Sequence, residues 1–341
     1  MNVSKSNIEA LQNLLIEPKK IVVVSHTNPD GDAIGSSLAI AEVLRNNGHK
    51  VDCIVPNRFP YYLKWIPGSE DIHIHSLDKM GIVDSLIAEA QIIICADMSS
   101  LSRLEGLGAT IESNTSAKRV LIDHHLNPEG PFDVLFSHPD SSSTAFVVYT
   151  ILHEMYGEQV FNQRNATQLY VGMMTDTGNF AFSFLTPELF RAVATLSATG
   201  IEIPQIYNNV YNSFTEGRAR LFGYVINRKM KSLLKGTVAY MSLTEEEMRR
   251  FWFQQGDSEG FVNYPLTVKK MRMSAMFSEQ QGFIRVSLRS RGGVDVNTFA
   301  RRYFNGGGHL NAAGGKSFVS MEQTIEHFIK SVEEYHNEGL V

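Results

Sequence analysis

Five carboxylates and three imidazoles fall into four short clusters whose types suit metal-assisted chemistry. The first cluster is His26-Thr-Asn-Pro-Asp30-Gly-Asp32, directly after the apolar run IVVVS (21–25). The second is Asp97, after IIICA; the third is Asp123-His124-His125, after RVLI; the fourth is Asp176, in MMTDTGNF. Each alone has an ordinary reading. An Asp after a strand commonly caps or turns the chain, Asp32 suits a cap for a helix beginning at Ala33, and a His-His pair is more often structural than ligating. Brought into one cleft, however, carboxylates this dense cannot all stay ionised without compensating charge. No equally dense Lys/Arg cluster occurs in these segments, and two divalent cations would supply what is missing. Mixed carboxylate and imidazole without thiolate suits Mn²⁺, Mg²⁺ or Zn²⁺, and two or more His ligands favour Mn²⁺ over Mg²⁺. Two such ions about 3.5–4 Å apart are the arrangement that supports in-line displacement at phosphorus.

The elements that must position these residues are legible as a pattern. Short β-branched runs at IVVVS, VDCIVP (51–56), QIIICA (91–96) and RVLI (119–122) alternate with helical stretches such as AIGSSLAIAEVLRNNG (33–48). Near-continuous apolar strands between helices imply an α/β fold with a parallel sheet covered on both faces. Three of the four clusters then leave the carboxyl edges of their strands, where open α/β sheets build their sites. From 143 to 235 the pattern is mainly helical, with Pro187 and Pro204 near helix starts and Gly157 and Gly200 near helix ends. A smaller α+β domain begins near residue 236. Its expected strands are GTVAYMSL, MRMSAMFSE and FIRVSLRS; its expected helices are EEEMRRFW, VNTFARRYF and MEQTIEHFIKSVEEYH. The reading is a first domain over 1–215, a connecting helix over 216–235, and a second domain over 236–341.

Composition bounds the rest. At 341 residues two cores are the default. The formal net charge of −5 argues against neutralising a long polyphosphate backbone, so a nucleic-acid substrate should be short and gripped locally. Long duplex nucleic acid is excluded as a partner on the same ground. The two cysteines, Cys53 and Cys95, sit inside apolar runs and read as buried strand thiols suited to a reducing cytoplasm. No run approaches the length needed to span a bilayer, so no membrane association is expected and the location is read as cytoplasmic.

In order and in residue type, the four clusters resemble the motifs of the DHH phosphoesterase superfamily, named for the triplet that here is Asp123-His124-His125. The resemblance implies roles. His26 and Asp30 would bind one metal; Asp32, His124 and Asp176 the other; Asp97 would bridge both. Asp123 would orient the neighbouring metal-bound imidazole, and His125 would contact the scissile phosphate and help protonate the leaving oxygen. The C-terminal part resembles that superfamily's DHHA1 domain, on Gly306-Gly-Gly-His309-Leu-Asn-Ala-Ala-Gly314-Gly, VSLRS (286–290) and GFVNYPL (260–266). A glycine run lets backbone N–H groups form an anion nest, here at Gly307 and Gly308, with His309 and Arg289 adding charged donors. Where members of the family often carry basic residues after that His, this chain has Leu310 and Asn311.

The whole chain is similar to the bacterial nanoRNase and pAp phosphatase group. That similarity implies hydrolysis of very short single-stranded RNA to mononucleotides, or removal of the 3′-phosphate of pAp, with the second domain selecting substrate. The alternatives are a phosphodiesterase for pApA or cyclic di-AMP, an inorganic pyrophosphatase, and a metal-binding module without catalysis. Oligomeric state is not legible from these motifs, and a homodimer is among the assemblies they allow. Arg103, six residues beyond Asp97, and Ser143, in Ser141-Ser-Ser-Thr144, are further candidates for substrate contact. For Ser143 the competing reading is a helix cap. Phe180 and Phe182 are read as core packing before base stacking.

Overall fold

Four runs of Val, Ile, Leu and Cys form the strands that carry the first sheet, because branched side chains buried on both faces suit a parallel sheet. A computed structural model describes residues 3–181 and 184–341, in two units, Met1–Ser213 and Phe214–Val341. In the first unit the strands are β1 (Lys20–Val24), β2 (Lys50–Val55), β3 (His73–Ile74), β4 (Ile92–Ala96), β5 (Lys118–Asp123) and β6 (Val134–Ser137). All pairings are parallel, in the order β3-β2-β1-β4-β5-β6. The helices are α1 (Lys5–Leu14), α2 (Gly31–Asn46), α3 (Ile82–Glu89), α4 (Gly106–Ser113), α5 (Thr144–Tyr156), α6 (Gln163–Asp176), α7 (Pro187–Ala198) and α8 (Ile203–Tyr211). The chain runs outward from β1 to β3, then returns to lay β4 beside β1. That reversal opens a crevice at the carboxyl ends of β1 and β4, the usual ligand position in open α/β sheets.

Helices cover both faces of this sheet. On one, Val83 and Ile87 of α3 and Leu107 and Ile111 of α4 pack with Val22, Ile93 and Leu121. On the other, Ile94 and Ile122 meet Leu11 of α1, Ile40 and Leu44 of α2, and Val148 and Ile151 of α5. Pro187 opens α7 and Gly157 closes α5, as the sequence pattern requires. Both cysteines lie buried in their strands, and burial pushes each thiol up to about 12.

In the second unit, α9 (Glu216–Tyr224) continues through a π-helical turn to Lys229 and then into β7 (Lys231–Leu233). Residues 216–235, read as a connecting helix, thus carry a strand and fall within this unit. There follow β8 (Val238–Leu243), α10 (Glu245–Arg250), β9 (Met273–Gln280), β10 (Phe283–Ser290), α11 (Val296–Tyr303), β11 (Gly307–His309), β12 (Ala312–Ser317) and α12 (Met321–Asn337). The mixed sheet has the order β11-β12-β10-β9-β8-β7. One face packs on α11 and α12 through Ile284, Val286 and Leu288 against Phe299, Phe328 and Val332. Among the described residues no helix is long and apolar enough to cross a membrane.

Candidate metal centre

The chain leaving β1 turns into α2 within a few residues, and Asp30 makes that turn possible. Its Oδ1 accepts from the backbone N–H of Asp32 at 3.0 Å and of Ala33 at 3.1 Å, which makes Asp30 the N-cap of α2. The cap that the sequence allowed for Asp32 is therefore made two residues earlier. Asp32 turns inward instead, 1% exposed, and caps a different helix. Its Oδ2 accepts from Thr144 N–H at 2.6 Å and its Oδ1 from Ala145 N–H at 2.8 Å, at the N-terminus of α5. The helix dipole and two unsatisfied donors there favour a negative charge.

Asp97 follows β4 in the left-handed region, with φ 59°. For a residue with a Cβ this costs about 1–3 kcal/mol and persists only where the surroundings enforce it. Here they do so from several directions. Its N–H donates to Ile122 of β5 at 3.0 Å, and Thr144 Oγ1 donates to Oδ1 at 3.0 Å. His26 Nε2 lies 3.3 Å from Oδ2; His124 Nε2 and His125 Nδ1 each lie 3.7 Å from Oδ1. The first and third clusters therefore meet at Asp97, and Asp176 of the fourth joins through His124 Nε2 at 3.4 Å.

Electrostatics shows what this crowding requires. Burial raises Asp32 well above the usual carboxylate range, and the neighbouring charges of Asp97, Asp176 and Asp30 add to it. Burial likewise pushes Asp176 up to about 6, the pull of His124 only partly opposing it; its side chain stays 30% exposed. At Asp97 burial works in the same direction but loses to the His26 hydrogen bond and the three imidazoles, which hold its carboxyl well below its ordinary value. The imidazoles respond in kind. Burial would lower His26 and His124, yet Asp97 raises the first, and Asp176, Asp97 and Asp123 raise the second. The cluster thus demands positive charge, as protons or as cations.

The donor geometry fits cations. His26 Nδ1 sits 2.9 Å from the Thr27 carbonyl, which directs Nε2 at Asp97. His124 Nδ1 sits 3.3 Å from the Ser141 carbonyl, and its Nε2 faces Asp176 at 3.4 Å, Asp97 at 3.7 Å and Asp32 at 3.9 Å. With Nδ1–H given to a carbonyl, each Nε2 meets the carboxylate oxygens either as a protonated donor or, once deprotonated, as a lone pair for a cation lying between them. His26, Asp30 and Asp97 form one group of donors within 4.8 Å of one another; Asp32, Asp97 and His124 form a second. Asp97 is common to both. Asp123 differs from its expected role: its Oδ1 lies 2.7 Å from His125 Nδ1, so the imidazole it orients is that of His125. Its Oδ2 is buried with no hydrogen-bond partner among the described residues.

Two features of this centre escaped the sequence reading. One is Thr144, fully buried, whose hydroxyl holds Asp97 while its N–H holds Asp32. Ser141–Thr144 read as a capping segment with Ser143 as a candidate substrate contact, and the cap is present: Ser143 Oγ accepts from Phe146 N–H at 3.1 Å. Ser143 is fully buried in that role. Thr144→Val keeps the side-chain shape and removes the hydroxyl. It should weaken divalent-metal affinity about tenfold or more, the usual loss when a ligand's supporting partner is deleted. Calorimetric titration reads this, with Thr144→Ser restoring most of it; unchanged affinity in the Val variant would mean that the backbone alone holds Asp97. The other feature is the glycine-lined crossing of α2 and α6, which brings Asp176 to the cluster: a Cβ on Gly35 would stand 2.3 Å from the Gln168 carbonyl.

The remaining candidates are placed as follows. Arg103 is half-buried near His26, and its carbonyl accepts from Thr27 N–H at 2.9 Å. Phe180 packs between Tyr170 and Phe190, with ring centroids 5.8 and 6.0 Å away. Phe182 lies outside the described residues. In the second unit, Arg289 is half-buried on β10, its Nη1 donating to the Leu288 carbonyl. Gly307, Gly308 and His309 form a strand paired with β12, not an open nest, and Gly308 N–H donates to Asn297 Oδ1 at 2.9 Å. The glycines are needed for close backbone packing: a Cβ on Gly306 would stand 1.9 Å from the Gly314 carbonyl, and one on Gly308 2.4 Å from that of Ala312. Asn311 donates to Ser290 Oγ and the Gly292 carbonyl, tying this hairpin to the turn after β10.

The DHH family, N-terminal domain, matches residues 20–173, and the DHHA1 domain matches residues 235–338. The crystal structure of an exopolyphosphatase-related protein from Bacteroides fragilis is 39% identical, with a TM-score of 0.91 and 97% of each chain covered. A bifunctional oligoribonuclease and PAP phosphatase from Thermus thermophilus is 28% identical over 92% of this chain and 89% of its own length. A cyclic-di-AMP phosphodiesterase from Bacillus subtilis is 26% identical over 97% of this chain and 50% of its own length. The two matched domains fall on the parallel-sheet unit and on the mixed-sheet unit, and the chain belongs to the DHH phosphoesterase superfamily and carries its DHHA1 domain.

Proposed function

We propose that this centre hydrolyses phosphate esters of short ribonucleotides. It would release mononucleotides from RNA a few residues long and remove the 3′-phosphate of pAp, using two divalent cations, Mn²⁺ by preference, in the cytoplasm. The observation that carries this reading is Asp97, one carboxylate shared by the His26–Asp30 group and the Asp32–His124 group, with Asp176 beside the latter. Cations held there would polarise the phosphoryl oxygens and make water a nucleophile at neutral pH. The chain's own residues supply the rest. Asp123 fixes the His125 ring through Nδ1, so Nε2 is the atom that hands a proton to the leaving oxygen. Asp32, held by the two N–H groups of the α5 N-terminus, would give up its proton to a bound cation and serve as a ligand.

The first unit performs this chemistry; the second selects substrate, with Arg289 and His309 as donors to a terminal phosphate. Arg289→Ala should raise KM for short oligoribonucleotides about tenfold while kcat changes by less than about twofold. A loss confined to kcat would instead place Arg289 in the chemical step. The broader test is one assay panel: Mn²⁺-loaded protein with pAp, pApA, a short RNA, cyclic di-AMP and pyrophosphate. Release of mononucleotide from RNA or of phosphate from pAp is expected. Turnover of cyclic di-AMP alone would transfer the assignment to the activity named for the Bacillus subtilis relative. Silence on every substrate would leave a metal-binding module.

A further inference from the structure

The sheet of the second unit has one face on α11 and α12, and the residues pointing the other way from β10 and β12 reach solvent. In an antiparallel pair, directly opposed residues share a face. Arg289 is opposed to Ala312, Ser287 to Gly314, and Arg285 to Lys316. The alternate residues of β10, Ile284, Val286 and Leu288, are in the core, which fixes the direction of this row. Arg285 and Lys316 are exposed, while Ser287 and Gly314 between them and Arg289 are small and half-buried. Beyond Arg285 the row ends in aromatics: the Lys316 ammonium lies 4.9 Å from the Phe283 ring centroid, and the Phe318 ring lies 6.5 Å from that of Phe283. Phe318 is 70% exposed. Three cationic side chains on one face, in a chain whose net charge is −5, are a local reversal of sign.

We propose that this face is a subsite for single-stranded RNA, holding nucleotides of the strand other than the one being hydrolysed; the proposal rests on the oligoribonucleotide reading above. Arg285 and Lys316 take phosphates, the floor of Ser287 and Gly314 leaves room for the backbone, and Phe318 offers its ring to a base. Cationic groups tracking a backbone beside an aromatic platform are the ordinary means of binding single strands without reading sequence. Arg285 lies four residues from Arg289, about 14 Å along an antiparallel strand, so one nucleotide engaging Arg289 does not reach it. The face therefore discriminates by length: it adds affinity for a pentanucleotide and none for pAp or a dinucleotide.

The experiment compares wild type, Arg285→Gln/Lys316→Gln and Phe318→Ala, all surface changes whose melting should match wild type. Anisotropy of a labelled pentanucleotide and of a labelled dinucleotide is measured with chelator present, and KM for both with Mn²⁺. Expected is a roughly five- to tenfold loss of pentanucleotide affinity in Phe318→Ala. In the double variant the salt dependence of log K should flatten by about 1.4, the share of two phosphate contacts on a single strand. Dinucleotide and pAp constants should stay within about twofold. Unchanged pentanucleotide binding in both variants overturns the proposal, as does an equal loss on the dinucleotide. If the variants weaken pentanucleotide binding while wild type hydrolyses nothing, the hydrolase reading fails and the binding face stands.

Discussion

Asp97→Asn should abolish phosphoester hydrolysis while leaving the fold in place. The loss should exceed roughly a hundredfold, the ceiling for residues that merely support a metal ligand, because Asp97 is the carboxylate common to both donor groups. The choice of Asn over Ala follows from the backbone. Asp97 has φ 59°, a conformation Asn tolerates and Ala does not. An Ala variant would confound loss of the ligand with backbone strain. Asn keeps an oxygen for the Thr144 hydroxyl and removes the charge that the imidazoles are built around. Mn²⁺ titration should show a weakened or absent second binding event, with a melting temperature near that of the metal-free wild type. Hydrolysis persisting in Asp97→Asn with Mn²⁺ would sink the shared-ligand model, since no other carboxylate lies in both groups.

Three of the four clusters were legible in the sequence because they sit at strand ends, where an apolar β-branched run stops and a polar cluster begins; Asp176 instead ends α6. The four long strands of the first sheet were legible for the same reason. The strands that escaped are short or lack branched residues: β3 has two residues, β7 and β11 have three each, β6 has four, and β12 is Ala-Ala-Gly-Gly-Lys-Ser. Such segments pair because neighbours already in place offer unsatisfied backbone groups, not because their side chains prefer a strand. The α2 cap fell to Asp30 and not to Asp32 for a related reason. Either can cap the start of α2 by spacing alone, and only the approach of α5 decides that Asp32 turns away to meet Thr144 and Ala145. The same limit applies to Asp123, whose partner is two residues on and not the adjacent His124. Sequence separation names the candidates; χ angles and the turn after β5 choose between them.

Gly172→Ala should cost both stability and metal binding, although Ala is the better helix former. Within α6 the exchange is worth up to about 1 kcal/mol in favour of Ala. Against that, the new Cβ would stand 2.5 Å from Ala145 Cβ and 2.8 Å from Asp32 Oδ1, both closer than real contacts allow. Neither neighbour can swing aside. Ala145 is in the first turn of α5, and Asp32 is held there by two backbone N–H groups. Forcing a methyl into such a site costs about 1–3 kcal/mol, so the net change is destabilising. The displacement would fall on Asp32 and on the α2–α6 crossing that carries Asp176, so Mn²⁺ affinity should drop by more than the global stability loss explains. The two effects separate experimentally: denaturant unfolding of the metal-free protein gives the packing cost, and metal titration of the folded variant gives the displacement of the ligands. A Gly172→Ala protein that melts higher and binds Mn²⁺ as wild type does would show that the crossing has slack, and that some other contact sets the position of Asp176.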